Sequence, residues 1–215
     1  MFKKTFIILF YLFIQSINAQ TITGNFIIHK FKGIGGDGRL TEKAKIKDIY
    51  NYVYSDSKSK MVLTNPRGTQ IDTIKKYDEL YDYHYETVET VIAPSKSMYF
   101  KDFKNKLYEK NIVTDGKEVY EKINLPELIW TQINETKNIE GFLCRKATTI
   151  YTSNGYTLTY YAWYTDEIPI QDGPFLFVGL PGFIVELGVD DMFFIKFTNY
   201  EYNENQITII DNIKD

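Results

Sequence analysis

A chain of 215 residues with 25 basic and 28 acidic side chains carries a formal charge of −3 at pH 7. Its charges are mixed along the chain rather than blocked, which excludes a nucleic-acid binder, since phosphate recognition needs clustered Lys and Arg. The single cysteine, Cys144, excludes an internal disulfide, so the core has to hold without staples.

The first nineteen residues read as a secretory signal peptide. Lys3 and Lys4 give a positive start, Thr5 to Ile14 is an almost unbroken apolar run, and Ala19 places a small residue before Gln20. The run is shorter than the ~20 residues that span a bilayer. No later segment is apolar enough to span, and no Cys follows the cleavage point to take a lipid. The expectation is a periplasmic, exported chain cleaved near Ala19, with residues 20–215 forming one soluble, β-rich domain.

Strand signals then dominate in chain order. Thr21 to Lys32 reads as a strand, and Asp48 to Tyr54 as another, with Tyr50, Tyr52 and Tyr54 alternating. Ile74 to Tyr83 and Leu125 to Trp130 are the only segments with helical character. Lys106 to Val113 and Lys117 to Ile123 flank Asp115-Gly116, a two-residue hairpin signal, and Ile139 to Thr152 and Tyr156 to Thr165 flank Asn154-Gly155, another. Phe175 to Val178 reads as a short apolar strand. Phe183 to Leu187, Phe193 to Tyr202 and Gln206 to Ile210 complete the set. Successive hairpins predict a mainly β fold: a curved, mostly antiparallel, half-barrel-like sheet with one face covered by a few short helices.

From Trp130 onward the sequence contains ETKNIEGFLCRKATT, YAWYTDEIPIQDGP and GLPGFIVEL. Together these resemble the GLPGLI family of exported proteins, with Phe183-Ile184 closing the signature in place of Leu-Ile. The resemblance implies export and carries no particular reaction with it. Physically, Pro181 suits the second position of a type II turn and Gly182 the positive φ of the third. Gly179 and Leu180 complete a corner that serves either as a rigid turn or as a lip over a pocket.

Several chemistries fall away. Gly33, Gly35 and Gly38 match GxGxxG, but no βαβ context surrounds them. His29 and His84 lack ligand-spaced partners, so no metal site is expected, and no cofactor is expected either. Cys144 shares a strand face with Phe142 and Ile150, the setting of a small buried hydrophobe. Asp166-Glu167 and Asp190-Asp191 are carboxylate pairs of the kind glycosidases use, each at a strand end.

Tyr161 and Trp163 alternate against Tyr160, Ala162 and Tyr164, so large rings point to both faces of that strand. With Phe175 and Phe177 they form the candidate binding surface. The first expectation is a non-enzymatic carrier of an apolar ligand or lipidated partner. The second is an interaction protein docking to an envelope transport complex through the Gly179–Gly182 corner. An enzyme using Cys144 or a carboxylate pair comes last.

Overall fold

The computed structural model describes residues 21–31, 45–153, 155–203 and 210–213. The expected leader at residues 1–19, the glycines Gly33, Gly35 and Gly38, Asn154, and residues 206–209 of the expected last strand lie outside them. In chain order the strands are β1 (Thr21–Lys30), β2 (Asp48–Ser55), β3 (Lys58–Leu63), β4 (Gln70–Asp78), β5 (Tyr83–Val91), β6 (Pro94–Asp102) and β7 (Leu107–Thr114). They continue with β8 (Lys117–Asn124), β9 (Thr131–Ile139), β10 (Phe142–Ser153), β11 (Tyr156–Thr165), β12 (Phe183–Val189) and β13 (Phe193–Asn203).

Eleven of these form one curved, open sheet, ordered β8-β7-β6-β3-β2-β1-β13-β12-β11-β10-β9, while β4 and β5 pair only with each other. Every pairing is antiparallel. The edges are the polar strands KEVYEKIN and TQINETKNI, whose charges and amides discourage edge-to-edge association. At the β7–β8 turn Asp115 and Gly116 have φ of 51° and 72°, both left-handed as a two-residue hairpin requires.

Alternation sends one side of each central strand inward. Phe26, Tyr52, Phe183 and Phe197 meet at the centre, with ring separations of 5.0 Å for Phe26–Phe197 and 4.8 Å for Phe183–Phe197. Residues 166–182, between β11 and β12, contain no strand and lie over this inner face. From that segment Ile168, Ile170, Phe177 and Leu180 are buried in the core.

Three local expectations are corrected. Residues 74–83 form no helix: they are the end of β4, a turn and the first residue of β5. The Asp78 carboxylate accepts the Leu80 amide at 3.0 Å across that turn, and pairing with β5 from Gln70↔Val91 to Asp78↔Tyr83 overrides the helical composition. Residues 125–130 are irregular, because Pro126 supplies no amide hydrogen. Phe175 to Val178 forms no strand: Phe175 and Leu176 turn the chain, with Phe175 at φ 54° and the Phe177 amide bonded to the Pro174 carbonyl at 3.1 Å. The inner face is therefore covered by irregular chain, and no helix occurs among the described residues. No helix there is long and apolar enough to cross a membrane.

Candidate functional site

The four aromatic residues singled out in the sequence divide between opposite faces of the sheet. Phe175 packs edge-on against Tyr50 and Tyr99, with ring centres 5.7 and 4.6 Å away. Phe177 sits 4.6 Å from Tyr160 and 5.9 Å from Tyr151. Both fill the inner face from within the covering segment. Tyr161 and Trp163 stand on the outer face, so the four do not form one surface.

Around Trp163 the outer face is ordered by register. Lys196 stands opposite Glu186, Glu186 opposite Trp163, Trp163 opposite Lys146, and Lys146 opposite Ile133. The ammonium groups of Lys137 and Lys146 lie 5.6 and 5.5 Å from the indole centre, a double cation–π arrangement. Glu186 pairs with Lys137 at 3.8 Å and Glu135 with Lys146 at 3.0 Å, so these charges balance locally. Beside the indole opens a cleft of about 400 Å³, lined by Ile133, Glu135, Lys146, Thr148, Tyr161 and Asp190. Burial, then Glu186 and Asp190, push the Tyr161 hydroxyl up to about 12, so it remains a hydrogen-bond donor near neutral pH.

The signature corner has a structural cause. The Gly182 amide bonds the Leu180 carbonyl at 2.8 Å, closing a three-residue γ-turn on Pro181 instead of the type II turn expected. Gly182 has φ 153° and presses against β11, since a Cβ there would lie 2.1 Å from the Thr165 carbonyl oxygen. Gly179 has φ 90°, and the Trp130 indole donates to the neighbouring Val178 carbonyl at 2.8 Å. Leu180 and Gly182 are buried at this corner, while Gly179 and Pro181 are exposed.

The sequence reading missed the polar centre that fastens the covering segment. Asp172, fully buried, receives the Lys101 ammonium, the Tyr52 hydroxyl at 2.7 Å and the Gly173 amide at 2.6 Å. Lys101 also donates to the Gly173 carbonyl at 2.6 Å. Burial pushes the Lys101 ammonium below its ordinary value while Asp172 opposes that shift. A signal was present in Asp172-Gly173-Pro174, where a carboxylate follows three apolar-flanked positions, but its partners lie 71 and 120 residues away.

Of the catalytic candidates, Asp166 and Glu167 are not among the residues lining this cleft, while Asp190 borders it. Asp166 pairs with Arg145 at 3.1 Å, and Glu167 accepts the Leu143 amide at 2.8 Å. Asp190 and Asp191 form the β12–β13 turn, with Asp191 at φ 60°. His84 contacts Tyr77, with ring centres 4.7 Å apart. Among the described residues no group of three or more His, Cys, Asp or Glu could hold a metal ion. Cys144 is fully buried, and burial, then Glu167 and Glu186, push its thiol up to about 12. Iodoacetamide at pH 8 should therefore leave native Cys144 unmodified and alkylate it after denaturation. Rapid labelling of the native protein would show an accessible thiolate instead.

These features define an open, all-antiparallel β domain with a charge-rimmed aromatic cleft on its outer face. The family described as "N-glycanase peptide, N-terminal domain" matches residues 46–213, and the chain belongs to it. Two solved structures of PNGF-II, in C2 and P21 crystal forms, are similar at 14% identity with TM-scores of 0.52 and 0.53. That likeness shows a shared fold. It covers 90% of this chain but 29% of each of those, so the chain spans less than a third of their length. No curated protein matches the chain.

This family corrects two expectations. The GLPGLI assignment does not hold: its most distinctive piece is a short Gly-Pro corner, which any chain turning tightly against a strand end needs. The apolar carrier does not hold either, because the family points towards glycans and the inner face is filled by Phe175, Phe177 and Leu180.

Proposed function

We propose that this chain is a glycan-binding module associated with N-glycanase chemistry, without a reaction of its own, and that a sugar ring occupies the Tyr161 cleft. The observation that carries this reading is the juxtaposition of the Tyr161 ring with Lys146, Glu135, Thr148 and Asp190 around one open cleft. A sugar presents an apolar C–H face ringed by hydroxyls. An aromatic side chain with a few placed donors and acceptors complements both parts. The family description supports a glycan as the ligand class. The engagement of Asp166 and Glu167 in structural contacts supports binding without hydrolysis.

Calorimetric titration of the full chain with an N-glycosylated peptide tests the reading. Binding is expected, and Tyr161→Ala should weaken it at least about tenfold, equivalent to about 1.4 kcal/mol, with the melting temperature retained. No binding by the wild-type chain, or release of sugar during the titration, would overturn it.

A further inference from the structure

The outer face carries more aromatic surface than the Tyr161 cleft uses. His29 of β1 stands opposite Phe194 of β13, Phe194 opposite Gly188 of β12, Gly188 opposite Tyr161 of β11, and Tyr161 opposite Thr148 of β10. Directly paired residues share a face, so these five form one row at right angles to the strands. The His29 imidazole stacks on Phe194, with ring centres 4.3 Å apart and planes 10° from parallel. Phe31, 58% exposed, leans on the same ring at 5.4 Å. Burial, helped by Lys47 and Lys196, holds the His29 ring below its ordinary pKa, so at neutral pH it meets Phe194 as an uncharged aromatic.

Gly188 is the position without a side chain, and Tyr161 occupies its space. A Cβ on Gly188 would lie 2.6 Å from the Tyr161 hydroxyl oxygen. The tyrosine therefore reaches across β12, the strand beside Phe194, and no ridge interrupts the row. The neighbouring row offers charges that are already paired: Lys196 with Glu140 at 2.6 Å, Lys137 with Glu186, and Lys146 with Glu135. Such pairs present donors and acceptors to hydroxyl groups.

We infer that the row from Phe31 to Tyr161 is an extended platform for a short, neutral oligosaccharide lying across the strands. The inference rests on the glycan reading above and adds His29, Phe31 and Phe194 to the site. From β1 to β11 there are three interstrand steps of about 4.8 Å, about 14 Å in all, the reach of several linked sugars rather than one.

NMR titration of the full chain with neutral oligosaccharides of one, three and five sugar units provides the test. Affinity should rise at least tenfold from one unit to three in the wild type. Phe194→Ala should abolish that gain while keeping the single-unit affinity, and Tyr161→Ala should weaken every length. Phe31→Ala, at an exposed position, reports on the same gain without disturbing the core and should reduce it severalfold. If affinity does not grow with length, or if both phenylalanine variants keep the gain, the platform is overturned while the Tyr161 cleft stands. If no sugar of any length binds, both readings fall together.

Discussion

Gly182→Ala is expected to destabilise the domain by about 3 kcal/mol, from backbone strain combined with overpacking. For a domain of this size that corresponds to a fall in Tm of roughly 6–12 °C. The new methyl carbon would stand 2.1 Å from the Thr165 carbonyl oxygen and 2.7 Å from its carbon, and both belong to the backbone where β11 ends. Neither can withdraw as a flexible side chain could. The φ of 153° adds strain that an L-residue rarely accepts. Gly116→Ala makes the comparison informative, because Gly116 has φ 72° with nothing within 4 Å of the added carbon. It should lose only about 1 kcal/mol, the conformational part alone. Thermal melts of the two variants separate close approach from backbone conformation. Equal losses would show that the corner does not press on β11 as described.

Lys101→Met should be at least as damaging, at about 3–5 kcal/mol, because it leaves Asp172 buried without its cation. Asp172 is fully buried and Lys101 is 3% exposed, so water cannot take the place of the missing partner. The same change frees the Gly173 carbonyl and leaves the Tyr52 hydroxyl bonded to an uncompensated carboxylate. The consequence extends beyond this centre: Asp172 also accepts the Ile184 amide through its backbone carbonyl at 2.8 Å, linking the covering segment to β12. The double variant Lys101→Met with Asp172→Leu removes both charges and should recover more than half of the loss. Urea denaturation measures all three states. A single variant as stable as the wild type would mean that the covering segment is held by its apolar contacts alone.

Much of the secondary structure was legible residue by residue. The alternating tyrosines of β2 and the Asp115-Gly116 hairpin are set by backbone preferences over a few neighbours. Gly182 does have a positive φ, but in a γ-turn on Pro181 that presses it against Thr165, not in the type II turn expected from Pro181-Gly182. Residues 74–83 were misread because Lys75, Lys76 and Tyr77 suit either a helix or an exposed strand. Their pairing with Tyr83–Val91 settles the choice, and composition does not encode pairing strength.

The candidate site was half visible. Tyr161 and Trp163 could be recognised from alternation within one strand, but Phe175 and Phe177 were grouped with them although they face the opposite side. The sequence by itself determined the all-β, antiparallel character of the domain, its hairpins, its neutral-to-acidic surface and its tight Gly-Pro corner, because each depends on local chemistry. Only the tertiary structure decided that Lys101 and Tyr52 meet Asp172, and that His29, Phe194, Gly188 and Tyr161 fall in one row. Those meetings depend on the relative register of strands far apart in the chain, where a shift of one residue sends every side chain to the other face.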